Sequence, residues 1–219
     1  MNAPSGASMM ALAIEMQLPE DVLARNKSAL AYLIERAVAG DTSAFEQIMI
    51  HSQQRVMAMS WRMLGNEADA RDASQEVFLR VYKYLKRYDQ SQDFFAWVYR
   101  ITVNVCRDIL RKRRHHNDRM VPIEANADEG VLEIPASQDD AEQILLSTQR
   151  RELIAQAIAT LPYKERASIV LRDVEGFSTE AVAKILESSA ATVRSQISSA
   201  RKKIREYCRR ASTTSESRS

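Results

Sequence analysis

The sequence is poor in chain breakers. It has five glycines and five prolines in 219 residues, less than half the average usage of about 7% and 5%. That scarcity argues against the turn-rich sequence of a sandwich or barrel, and the abundant Ala, Arg, Glu, Leu, Ile and Gln favour helix. Cysteine is rarer still. Cys106 and Cys208 form neither a Cys-x-x-Cys pair nor a disulfide framework, so a reduced, cytoplasmic setting fits better than secretion. The N-terminus lacks a basic n-region, and Glu15 interrupts its short apolar run, so it does not read as a signal peptide. No stretch approaches the ~18 apolar residues of a membrane span, so no membrane insertion is expected. Three histidines, His51, His115 and His116, have no suitably spaced acidic or cysteine partners for a metal site. A glycine-rich phosphate loop and a nucleophile–base set are missing too. We therefore expect no metal, no cofactor and no enzymatic activity.

What the chain does have is segregated charge. Its 31 basic and 29 acidic residues give a net charge of only +2. Residues 94–114, however, hold six Lys/Arg against one Asp, a net of +5. Residues 118–142 hold eight acids against one Arg, a net of −7, and 190–210 hold seven cations against one Glu, a net of +6. Basic blocks of this kind attract phosphate backbones. Solvated helix faces are the plainer alternative, and charge alone does not separate the two.

Periodicity divides the chain. Residues 1–27 read as a loose, disordered extension. From 28 to 114 the pattern predicts helices near 29–39, 43–64, 67–87 and 92–113. Gly40-Asp41 is expected to end one helix and open the next, and Gly65-Asn66 to turn the chain. Residues 115–142, with Pro122, Pro135 and the acidic cluster, read as a flexible linker. A second helical unit follows over 143–210, and 211–219 is a polar tail. The expected fold is all-α, with two small helical domains joined by an acidic tether.

Two segments carry functional signal. In 177–206, Ser178 and Ser189 are placed to cap two successive helices around the turn Glu187-Ser188-Ser189. Val182, Ile185 and Leu186 point inward from the first helix. Val193, Ile197, Ala200 and Ile204 form the buried stripe of the second. Thr192, Arg194, Ser195, Ser198, Ser199, Lys202 and Arg205 take the outer side. Small hydroxyl residues followed by cations suit the recognition helix of a helix-turn-helix. The second segment lies at the end of an aromatic concentration, since eight of the chain's 14 aromatics fall between Phe78 and Tyr99. Over 97–111, Val98, Ile101, Val105 and Ile109 are expected to be buried. Trp97, Arg100, Asn104, Arg107 and Arg111 share another face. A ring to stack on an unpaired base, cations for phosphates and an amide for a base edge make a composition for holding melted DNA.

These motifs resemble the extracytoplasmic-function class of bacterial RNA polymerase sigma factors. "DARDASQEVFLRVYKYLKRYD" (69–89) is similar to the family's core-polymerase-binding segment. "FFAWVYRITVNVCRDILRKRR" (94–114) is similar to its −10-reading and melting segment, and residues 161–206 to its −35-reading domain. The resemblance implies that Asp69, Asp72, Gln75 and Glu76 dock on core polymerase. It assigns strand separation to Trp97, Arg100 and Asn104, with Arg107, Arg111, Arg113 and Arg114 as the basic continuation. The loop 89–93 falls where the family captures a flipped base. An anti-sigma partner is implied, and the acidic linker would thread polymerase channels that otherwise hold nucleic acid. The sequence departs from the family in several places. Arg71 stands for a commoner acid, Glu187-Ser188 for the usual Gly-Val of the turn, and Gln196 and Ser199 for frequent arginines. Glu187 would be strained if its φ were positive. The rival expectation is a helix-turn-helix regulator that binds duplex promoter DNA without polymerase.

Overall fold

A computed structural model describes residues 20–117, 150 and 152–216, and among these there is no strand. Helix α1 (Glu20–Val38) begins inside the stretch expected to be a loose tail, while residues 1–19 and most of the acidic linker lie outside the described residues. It packs Leu30 and Ile34 against α2 (Thr42–Leu64). The joint between them is set as the sequence predicts. Gly40 takes φ 103°, and Asp41 caps α2 by accepting from the Ala44 N–H at 3.1 Å. That backbone donor, together with the Arg36 guanidinium, holds the Asp41 carboxyl below its ordinary range. Gly65, at φ 78°, closes α2, and Asn66 caps α3 (Glu67–Tyr84) through the Asp69 N–H at 2.8 Å. A 3₁₀ turn (Leu85–Arg87) leads to the loop before α4 (Phe94–Asn117). The core of this half comes from the inward stripes: Ile48, Val56, Met59 and Met63 of α2, Val77 and Val81 of α3, and Val98 and Val105 of α4. Each fully buried side chain of this size stabilises by about 1.5–3 kcal/mol.

The second half holds α5 (152–159), α6 (Tyr163–Ile169), α7 (Thr179–Ile185) and α8 (Ala190–Glu216). A π-helical turn, Val170–Val174, extends α6. Leu161, Ile169, Val170, Leu171, Val182, Val193 and Ala200 fill its centre. The halves are joined: one continuous buried cluster runs from Leu30 to Ala200.

On α4 the inward arc is broader than the predicted stripe. Val98 and Val105 are buried, but Ile101 and Ile109 are only half-buried, and Thr102, Val103 and Cys106 are fully inside. The reason is that α4 is covered twice, by α2 and α3 on one side and by the second half on the other. Cys106, in the middle of this sandwich, has its thiol pushed up to about 12 by burial. The thiolate is the reactive form. Cys106 should therefore resist thiol reagents at pH 8 in the native protein and react only on unfolding. Mass-resolved labelling across a urea series checks this, and rapid native modification of Cys106 would contradict the packing of α4.

Candidate nucleic-acid and polymerase interface

On α3, burial of Ala70, Ala73, Val77 and Val81 leaves the opposite side to solvent. Asp72 and Gln75 are exposed, and Glu76 is engaged by Arg80 at 2.7 Å. Asp69 does not share that open face. Its carboxylate is 17% exposed, accepts from the Asn66 amide at 2.9 Å and pairs with Arg113 at 2.7 Å. Asp69 and Arg113, assigned by resemblance to two different surfaces, thus tie α3 to α4. Arg71 pairs with Glu67 one turn back at 2.8 Å, so the missing acid leaves no uncompensated charge. Sequence reasoning missed two neighbours of the acidic face. Leu79 (66% exposed) and Tyr82 (58% exposed) continue it at helical spacing, with the Tyr82 ring edge-on to Phe45 at 4.9 Å. The available signal was a leucine out of phase with the buried stripe.

The loop 89–93 is shaped by its own bonds. The Tyr88 hydroxyl donates to the Gln92 carbonyl. Asp89 accepts from the Ser91 N–H at 2.9 Å and the Gln92 amide at 3.1 Å, and these donors lower its carboxyl below the ordinary range. Asp93 receives the Ala96 N–H at 2.9 Å at the start of α4. Behind the loop, the aromatics form a chain. Trp97 lies 5.0 Å from Tyr88 and 5.9 Å from Phe94, and Phe95 contacts Tyr99 with Arg55 at 4.4 Å over its face. Trp97 is therefore half-buried, with part of its ring used in packing. Arg100, Arg107, Arg111 and Arg114 are exposed; Asn104 is half-buried.

Both helix caps of the helix-turn-helix form as expected. Ser178 accepts from the Ala181 N–H at 3.1 Å and Ser189 from the Thr192 N–H at 3.0 Å. Val193, Ile197 and Ala200 are buried, and Leu186 and Ile204 half-buried. Thr192, Arg194, Ser195, Ser198, Lys202 and Arg205 are exposed. The other two predicted contacts face inward. Gln196 accepts from Ser168 at 2.7 Å and Ser199 donates to Glu165 at 3.2 Å, so both fasten α8 to α6. Glu187 sits in the left-handed region at φ 51°, the strained conformation foreseen for a non-glycine there. A concavity of about 370 Å³ lies beside α8, lined by Arg172, Arg194, Arg201, Arg205, Thr179 and Ser198, among others. Arg172 and Arg201 were not predicted: Arg172 reaches this surface from the π-helical turn, which no spacing within α8 reveals. Arg201 is held there by a two-pronged pair with Asp173 at 2.7 and 2.9 Å.

The two halves meet across α4. Arg62 pairs with Glu175 at 3.0 Å, with side chains only 7% and 12% exposed. The Tyr99 hydroxyl donates to the same carboxylate, and burial together with that negative charge raises its pKa well above the ordinary phenol value. Phe177 stands edge-on to Tyr99 at 5.8 Å. Arg166 donates to the Met63 carbonyl at 2.8 Å, Tyr163 donates to the Val103 carbonyl, and Arg100 pairs with Glu187.

Comparison with known proteins agrees with this layout. Residues 49–116 match the family described as Sigma-70 region 2, and residues 151–204 match Sigma-70, region 4. The chain is 32% identical over 176 residues to the ECF RNA polymerase sigma-E factor of Escherichia coli, covering 78% of this chain and 90% of that one. It is also 32% identical over 171 residues to the ECF sigma factor SigE of Mycolicibacterium smegmatis, covering 77% of this chain and 64% of that longer protein. Among solved structures, CnrH bound to the cytosolic domain of CnrY aligns with a TM-score of 0.56 at 26% identity, over 81% of this chain and 96% of that one. The sigma factor RpoE of Bartonella quintana, bound to the anti-sigma factor NepR, shares the fold at a TM-score of 0.59 and 21% identity, over 75% and 96%. With both sigma regions present in order on two helical units, the chain belongs to the extracytoplasmic-function class of RNA polymerase sigma factors, which direct promoter-specific transcription initiation.

Proposed function

We propose that three surfaces of this chain divide the work of initiation. The exposed side of α3, with Asp72, Gln75 and Glu76 extended by Leu79 and Tyr82, docks on core polymerase. Arg100, Asn104, Arg107, Arg111 and Arg114 of α4, beside the aromatic chain and the loop 89–93, hold the separated −10 strand. Thr192, Arg194, Ser195, Ser198, Lys202 and Arg205 of α8, with Arg172 and Arg201, engage the −35 duplex. The observation that carries this reading is the chemistry of the two basic faces. One joins aromatic rings to guanidinium groups, as unpaired bases require. The other joins a hydroxyl-rich helix start to cations, as duplex phosphates and groove edges require. A regulator of duplex DNA alone has no use for the first face. The reading requires no bond-making chemistry and no cofactor, and it places the protein in the cytoplasm. Since CnrH and RpoE were each solved with a bound partner, RpoE's being an anti-sigma factor, we assign an anti-sigma partner to this chain as well.

The test is transcription with purified core polymerase on a pool of promoter fragments, probed for melted DNA. Core-dependent opening at a defined sequence is expected. Duplex binding with neither core association nor melting would overturn the assignment. Leu79→Asp, on a side chain already in water, should weaken core binding about tenfold, or about 1.4 kcal/mol, with no loss of helicity. Equal core affinity for this variant would remove Leu79 from the docking face.

A further inference from the structure

The faces assigned to the two DNA elements do not look outward independently. Asn104 and Arg107 of α4 share a cleft of about 160 Å³ with Glu187, Ser188, Thr192 and Gln196 of the turn and the recognition helix. A recognition helix enters a major groove about 12 Å wide, and no duplex fits where its first turns face another helix across so small a space. Across the same cleft the carboxylate of Glu187 pairs with Arg100, occupying a cation assigned to the opened strand. Behind this rim lies the shared carboxylate of Glu175, held by Arg62 and Tyr99.

We propose that the free chain is self-restrained: its second half closes on the strand-opening helix, with Glu187 standing in for a DNA phosphate at Arg100 and Glu175 fastening the closure from inside. This rests on the assignment of α4 to strand opening. The composition of the contact suits something made to be undone. Apart from the packing around Tyr99, Phe177 and Val103, its links are polar: Arg62–Glu175, Tyr99–Glu175, Tyr163–Val103, Arg166–Met63 and Arg100–Glu187. On separation the charged groups regain water, which offsets much of what the pairs contribute. Interfaces between domains of one chain have this polar character, and relative motion is the default for them. Glu187 also keeps a backbone conformation that glycine would adopt with less strain, and its side chain is what that position supplies to the closure.

The experiment uses the full chain. Glu187→Ala removes only an exposed side chain, so folding is not at issue; Glu187→Ala combined with Glu175→Gln loosens both ends of the closure. Small-angle scattering reads the radius of gyration. Fluorescence anisotropy reads affinity for a labelled 20-nucleotide single strand at fixed salt, without polymerase. We expect the double variant to expand and to bind the strand at least fivefold more tightly, with Glu187→Ala alone in between. Unchanged dimensions and unchanged affinity would overturn the proposal. Expansion without a gain in affinity would also overturn it, because the contact would then be architectural only. The underlying assignment fails separately, if polymerase carrying Arg100→Ala opens promoters at the parent rate.

Discussion

Replacing Arg107, Arg111 and Arg114 together by alanine is expected to reduce promoter opening by the assembled polymerase about a hundredfold at 0.1 M salt. The figure follows from counterion release. Each phosphate contact to a single strand contributes a slope of about 0.7 in log affinity against log salt, or about fivefold per contact at that concentration. The three guanidinium groups are exposed on one end of α4, and Arg111 has only a loose ion pair, 3.6 Å from Asp108. Removing them should leave the fold within about 0.5 kcal/mol per site. Arg113 is left out because its pair with Asp69 joins α3 to α4, so its removal would mix structure with DNA binding. Trp97 is left out for a similar reason, since its ring packs on Tyr88 and Phe94. The decisive readout is the salt slope of opening, which should fall by about 2. An unchanged slope would show that these cations never reach phosphate.

The second large effect is on stability. Leu171→Ala should cost about 2–5 kcal/mol, the range for truncating a fully buried leucine when the surroundings cannot collapse into the space. Leu171 is completely buried in the π-helical turn, and its carbonyl accepts from the Phe177 N–H at 3.1 Å, which pins the backbone and limits relaxation. Urea denaturation should show a lower midpoint with an unchanged slope. The probes add a further distinction. Both tryptophans, Trp61 and Trp97, lie in the first half, whereas circular dichroism reports every helix. Because the buried cluster is continuous, the tryptophan transition should move together with the dichroism transition, although the substitution is in the other half. A tryptophan transition left at its parent midpoint would mean that the halves unfold independently.

Local order was legible in the sequence where one segment decides its own structure. Gly40, Asp41, Gly65 and Asn66 act through φ or through a cap three residues away, and each is found as expected. The same holds for Ser178, Ser189 and the stripe Val193, Ile197 and Ala200. What could not be read depends on partners far apart in sequence. Arg62 and Glu175 are separated by 113 positions, and nothing near either residue announces the other. The inward arc of α4 was misjudged in the same way. A stripe drawn for one covering layer makes Ile101 the buried residue, whereas two layers select Thr102, Val103 and Cys106. Gln196 and Ser199 look like outward contacts on a helical wheel but are spent on α6. The acidic linker and residues 1–19 lie outside the described residues, so their assigned roles stay as expectations.

The π-helical turn at Val170–Val174 makes chain length, rather than side-chain identity, a controlling variable. Its wider bonds, such as the Glu175 N–H to the Val170 carbonyl at 3.0 Å, accommodate more chain per turn than an α-helix does. Deleting a single residue there would let the helix close into ordinary α-geometry, at little local cost. Everything downstream would then be re-phased by about 100°, the angle per residue at 3.6 residues per turn. Glu175 would swing away from Arg62 and Tyr99, and Arg172 away from the arginines of α8. A one-residue gap in this turn is thus a frameshift in three dimensions, disconnecting two surfaces while leaving the hydrophobic inventory intact.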